Sequence, residues 1–112
     1  MDRRPWAHAR GEYAEQLVCE YFCARAHRVL FHQKKIFGVE FDWIFVGPRG
    51  RVYVEVKSVK STDFYLQRWP IRQKQRFTRV AALLAEKEQA HFFLAMVDYS
   101  DKVHLFKVGR DL

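Results

Sequence analysis

The chain has 112 residues, 49% of them apolar, and a formal net charge of +7: enough for one core, too few for two. A pI near 9.7 points to a polyanionic partner, with nucleic acid ahead of an anionic membrane. No apolar run reaches the roughly 18 residues of a membrane span, and the start Met1-Asp2-Arg3-Arg4-Pro5-Trp6 lacks a signal peptide's apolar stretch. A cytoplasmic protein that does not enter the membrane is expected.

Residues 7–26 read as a helix, because Val18, Phe22 and Ala26 recur at the spacing of one helical face. Cys19 and Cys23 lie in it, four apart; a disulfide across one turn closes no useful loop, and two thiols alone make a poor zinc site. Residues 28–32 form a short strand, followed by a connector through Lys34, Lys35 and Gly38. Residues 41–46 and 51–57 are two strands of a hairpin around Gly47-Pro48-Arg49-Gly50. A polar and aromatic loop covers 58–70. A second helix spans 71–88 with Phe77, Val80 and Leu84 as its apolar stripe, and strands at 91–97 and 103–108 complete the chain. The order α-β-β-β-α-β-β predicts a single α/β domain, a central mixed five-stranded sheet flanked by helices.

The hairpin carries the chemistry. Alternation puts Tyr53, Glu55 and Lys57 on one strand face and Val54 and Val56 on the other. Asp42 comes from the partner strand, where facing Cβ atoms approach within about 5 Å. Two carboxylates plus the Val56 carbonyl make a half-cage for Mg²⁺, or Mn²⁺ in its place. Lys57 is placed to orient or deprotonate a water beside a scissile phosphate. The alternative is an ordinary cross-strand salt bridge; against it, these acids sit in the most apolar strands, where unpaired carboxylates are costly.

Glu15 opens the stripe Glu15, Val18, Phe22 and points inward, with Glu12 the alternative three residues earlier. Gln73 opens the stripe of the second helix, aimed near the end of the Lys57 strand, where an amide can hold a phosphate or water; Gln75 is its alternative. From Lys57 to Arg79 there are seven Lys/Arg and one acid, Asp63. Lys60, Arg72, Arg76 and Arg79, with Arg10 from the first helix, are candidate phosphate contacts. Tyr65, Arg68 and Trp69 in the loop are candidates for stacking and backbone binding.

Asp42 followed by Glu55-Val56-Lys57 resembles the D…(D/E)xK signature of the PD-(D/E)XK nuclease superfamily. The likeness runs from the Gly11-x-x-x-Glu15 helix through the last strands. It is strongest to archaeal-type Holliday junction resolvases and YraN-like predicted nucleases, whose Glu-Ile-Asp resembles Glu40-Phe41-Asp42 and whose basic second helix resembles the Lys74-Gln75-Arg76 stretch. The resemblance implies a restriction-endonuclease-like fold and a Mg²⁺-dependent, often dimeric endonuclease acting on branched DNA. It also implies that Glu15 rather than Glu12 is the helix glutamate. Phe41 stands where the signature has proline, and the expected Gly-Glu pair is spread over Gly38-Val39-Glu40.

The expected function is therefore metal-dependent hydrolysis of phosphodiesters in structured DNA. Glu15, Asp42, Glu55, Lys57 and Gln73 are catalytic, and a homodimer matches the two-fold symmetry of a junction. A binding module that kept the fold without turnover, and a restriction or repair nuclease on linear or damaged DNA, are the competing readings.

Overall fold

Side chains of a strand project alternately to opposite faces, and the central strands of this chain are apolar on both. The computed structural model describes residues 4–60 and 69–112, with side chains from residue 9 onward. It satisfies the two-sided pattern with one helix on each face of a five-stranded sheet. The elements run α1 (Arg4–Cys23), β1 (Arg28–Ile36), β2 (Val39–Gly47), β3 (Gly50–Ser58), α2 (Ile71–Ala85), β4 (Ala90–Val97) and β5 (Val103–Lys107). The strand order is β1-β2-β3-β4-β5; β3 and β4 are parallel and the other neighbours antiparallel. The α/β class, mixed sheet and element order expected from the sequence are those observed.

α1 lays Ala14, Val18 and Phe22 against Phe45, Val52, Val54, Val56, Ala95 and Val97. α2 lays Phe77, Val80, Ala81 and Leu84 against Phe41, Ile44, Tyr53, Phe92, Leu94 and Met96. Burying each large apolar side chain contributes about 1.5–3 kcal/mol, so each helix is held mainly by its packed stripe. α2 is also the crossover that joins the parallel pair β3 and β4.

The C-terminal ends of α1, α2 and β1 depart most from expectation. α1 stops at Cys23, because Ala26 adopts φ 62 and the His27 N–H donates to the Phe22 carbonyl, a left-handed helix end. α2 stops at Ala85. β1 continues to Ile36, so Lys34 and Lys35 lie in a strand and not in a connector. Phe37 and Gly38, at φ 51 and 80, close a two-residue turn between the paired Ile36 and Val39; glycine makes that tight reversal accessible. Gly50 is also required, since it sits at φ 110 and a Cβ there would lie 2.4 Å from the Gln89 carbonyl oxygen.

The site is prepared by an irregularity in β2. Phe41 faces α2 and Trp43 and Phe45 face α1, so strict alternation breaks at Asp42. The β2–β3 pairing ends at Trp43 opposite Val54, and across β1 the residue facing Asp42, Gln33, has φ 54. Beyond Trp43 the two strands part, which opens room between them for side chains.

Candidate active site

Where β2 leaves β3, the Val56 N–H lacks a strand partner, and side chains take it. Asp42 Oδ2 accepts it at 2.7 Å and Glu55 Oε1 at 3.2 Å. Two carboxylates from adjacent strands thus converge on one amide. Glu55 is only 7% exposed, and its other oxygen, Oε2, accepts the Gln73 Nε2–H at 2.7 Å. Burial first, and then the Asp42 carboxylate, push the Glu55 carboxyl up to about 9; the Lys57 ammonium and the Val56 N–H oppose the rise. Burial and the Asp42 carboxylate both favour the protonated form of Glu55 over the ionised one.

Glu15 approaches from α1 and is gripped twice. Its Oε1 lies 2.8 Å from His32 Nε2, and its backbone carbonyl accepts the Trp43 Nε1–H at 2.9 Å. The His32 ring stacks on Trp43 with centroids 4.0 Å apart. Burial raises the Glu15 carboxyl above its ordinary range; the bond to His32 opposes this and the charge of Asp42 adds to it.

These groups line one open cleft of about 580 Å³, with Glu15, Asp42, Glu55, Val56, Lys57 and Gln73 on its walls and Arg72 and Arg76 at its rim. Of the paired alternatives, Glu15 and Gln73 line the cleft; Glu12 opens into a neighbouring hollow and Gln75 is exposed. Lys60 is exposed just past β3, and Arg79 is exposed one turn further along α2, outside the lining. Tyr65 and Arg68 lie outside the described residues.

Two expectations are corrected. Trp69 is not presented for stacking: it is 5% exposed and packs edge-on against Phe77 at 5.4 Å, part of the core beneath α2. Arg10 is taken up by the protein itself. Its guanidinium donates to Ser58 Oγ at 3.1 Å, to the Asp98 carbonyl at 2.5 Å and to Asp101 at 3.3 Å, which ties α1 to the β4–β5 turn. His32, in turn, has a place at the site that sequence reading missed. Nothing in its spacing signals a contact with Glu15, because the two meet only when the β1–β2 hairpin folds over α1.

The donor chemistry fits a hard divalent cation. Two carboxylates converge on the Val56 amide, where a cation would relieve the burial and charge that raise Glu55, and both are oxygen donors of the kind Mg²⁺ takes. Among the described residues no three His, Cys, Asp or Glu side chains form a cage, so such an ion would fill its remaining positions with water or substrate oxygens, as Mg²⁺ ordinarily does.

No helix among the described residues is long and apolar enough to cross a membrane. No family model matches the chain. Over 82 residues it is 34% identical to a UPF0102 protein of Maricaulis maris (strain MCS10); the matched stretch is 71% of this chain and 63% of that relative's length. That similarity, together with the helix, hairpin and Glu-x-Lys arrangement described above, supports the resemblance to the YraN-like, PD-(D/E)XK nuclease-type family.

Proposed function

We propose that the protein is a metal-dependent endonuclease that hydrolyses phosphodiester bonds in structured DNA, with branched junctions as its preferred substrate. The observation that carries this reading is the convergence of Asp42 and Glu55 on the Val56 amide, in a cleft whose rim bears Arg72 and Arg76. In this reading Asp42, Glu55 and the Val56 carbonyl hold Mg²⁺, with Glu15 assisting. The bound ion supplies a Lewis acid that neutralises charge on the scissile phosphate and acidifies water. Lys57 orients the attacking water and donates hydrogen bonds from its ammonium to the phosphate oxygens. Gln73 fixes the Glu55 carboxylate and contacts a phosphate oxygen, while Arg72 and Arg76 hold the flanking backbone. A homodimer presents two such clefts to the two strands of a junction.

The competing reading, a binding module without turnover, draws on the same cleft: the Gln73 bond and the favoured protonated form stabilise Glu55 without any ion. Labelled four-way junction, flap, nicked and linear duplexes, each incubated with Mg²⁺, separate the readings. The proposal expects preferential cutting of the junction, abolished in Asp42→Asn and Lys57→Ala. Binding without cutting by the unsubstituted protein would establish the module. Equal cutting of all four substrates would replace the junction assignment with a restriction or repair activity.

A further inference from the structure

At the far end of β3 from the acidic cleft lies a second hollow, of about 360 Å³, that the hydrolase reading leaves unused. Val52 lines it and Lys57 lines the first cleft, so along the strand the two sites are about 16 Å apart at ~3.3 Å per residue. Its volume falls in the range of about 300–1,000 Å³ common to small-molecule sites.

The hollow has an apolar floor and a cationic rim. Phe22, Val52, Phe93 and Leu105 form the floor. Arg25, Arg49, Lys107 and Arg110 stand around it, contributed by the turn after α1, the β2–β3 turn, the end of β5 and the tail after it. Among the described residues no carboxylate lines it. Two of the cations are already oriented. The Arg25 guanidinium lies over the Tyr21 ring, 3.5 Å from its centroid, and donates to the Tyr21 carbonyl at 2.8 Å. The Arg110 guanidinium is held by Asp111, which stands outside the lining. Arg49 is exposed and meets no carboxylate among the described residues. His91 Nε2 lies 3.2 Å from the Arg49 carbonyl and tethers that turn to β4.

A floor that takes a flat apolar ring, under a rim that takes a doubly charged anion, is selective for a molecule bearing both. Inorganic phosphate would leave the floor wet; a neutral aromatic would leave the cations unpartnered. We propose that this hollow is a nucleotide site, binding a nucleoside phosphate with its base on the Phe22–Phe93 floor and its phosphate among Arg25, Arg49 and Lys107. The bound group is either a free nucleotide or the unpaired, phosphorylated end of a strand. The proposal does not depend on the cleft being hydrolytic.

The test is a titration followed by amide NMR, with adenosine 5′-monophosphate, inorganic phosphate, adenosine and a 5′-phosphorylated single-stranded hexanucleotide as separate probes. Expected are saturable shifts at Arg49, Phe93 and Lys107. The nucleotide should bind about tenfold or more tightly than phosphate or adenosine, and Arg49→Ala with Lys107→Ala should weaken it by about tenfold or more. Both substitutions are outside the core, and an otherwise unchanged spectrum verifies the fold. Tighter binding of the hexanucleotide assigns the site to strand ends, and tighter binding of the mononucleotide to free nucleotide; either result supports the shared chemistry. The absence of saturable shifts at millimolar nucleotide, shifts confined to the Glu55 cleft, or phosphate binding as well as nucleotide would overturn it.

Discussion

Asp42 Oδ2 accepts the Val56 N–H at 2.7 Å, in the place where a β2 carbonyl would otherwise have paired with it. The aspartate therefore ends one ladder and shares the Val56 amide with the Glu55 carboxylate, so its structural and chemical roles are inseparable. Asp42→Ala leaves a buried amide with only the longer Glu55 contact, and a loss of about 1–3 kcal/mol in unfolding free energy is expected by urea denaturation. Asp42→Asn keeps a side-chain acceptor and should cost less, yet abolish cleavage. Equal destabilisation by the two substitutions would show that the hydrogen bond is not what holds the strands apart.

Glu55 gives a pH dependence of definite sign. Its carboxyl is pushed up to about 9 in the folded chain, above the ordinary glutamate value of 4.5, so between those limits the folded state binds more protons than the unfolded one. Stability from this group is fully present below about 4.5 and is lost as pH rises toward 9, with a slope of at most about 1.4 kcal/mol per pH unit. Unfolding measured from pH 5 to pH 9 in chelator should show this fall, and Glu55→Gln should flatten it. A divalent cation should offset the fall at high pH by replacing the proton.

His32 acts on Glu15 from outside the cleft lining. Removing its ring takes away the contact that opposes burial, so in His32→Ala the Glu15 carboxyl should titrate still higher and cleavage should slow by about tenfold. His32→Gln, which restores a donor at similar reach, should recover part of the rate. Carboxyl ¹³C titration of Glu15 in the two variants checks the cause: an unchanged midpoint in His32→Ala would detach His32 from the site.

Trp69 and the α2 arginines separate core from interface. Trp69→Ala should cost about 3–5 kcal/mol of stability, as expected for a buried aromatic, and weaken DNA binding only through loss of fold. Arg72→Ala and Arg76→Ala should leave stability nearly unchanged and each reduce the slope of log affinity against log salt by about 1. Arg10→Ala should destabilise the β4–β5 turn with no comparable change in the salt slope, since its donors are engaged by Ser58, Asp98 and Asp101.

The periodicities of Phe77-Val80-Leu84 and Val52-Val54-Val56 made α2 and β3 legible, because packing on one face repeats at the helix or strand period. Asp42, Glu55 and Lys57 were legible together for the same reason: a four-residue hairpin turn fixes which residues oppose. The extension of β1 through Lys34-Lys35 was not, since an edge strand exposed on both faces has no apolar alternation to read. Trp69 was misplaced because a buried aromatic next to Pro70 looks the same in sequence as an exposed one in a basic loop. Its burial is decided by Phe77, eight residues on. The grip of His32 on Glu15 and the hollow between Arg25 and Lys107 arise from contacts distant along the chain, which no local pattern encodes.

The central claim is that the strand acids gather around one hard ion. Crystals grown with Mn²⁺ and measured for anomalous scattering test it directly. The account predicts a single strong peak between the Asp42 and Glu55 carboxylates, lost in Glu55→Gln. A peak elsewhere, or none while the Gln73 amide still bonds Glu55 and both acids still bind the Val56 amide, would contradict it.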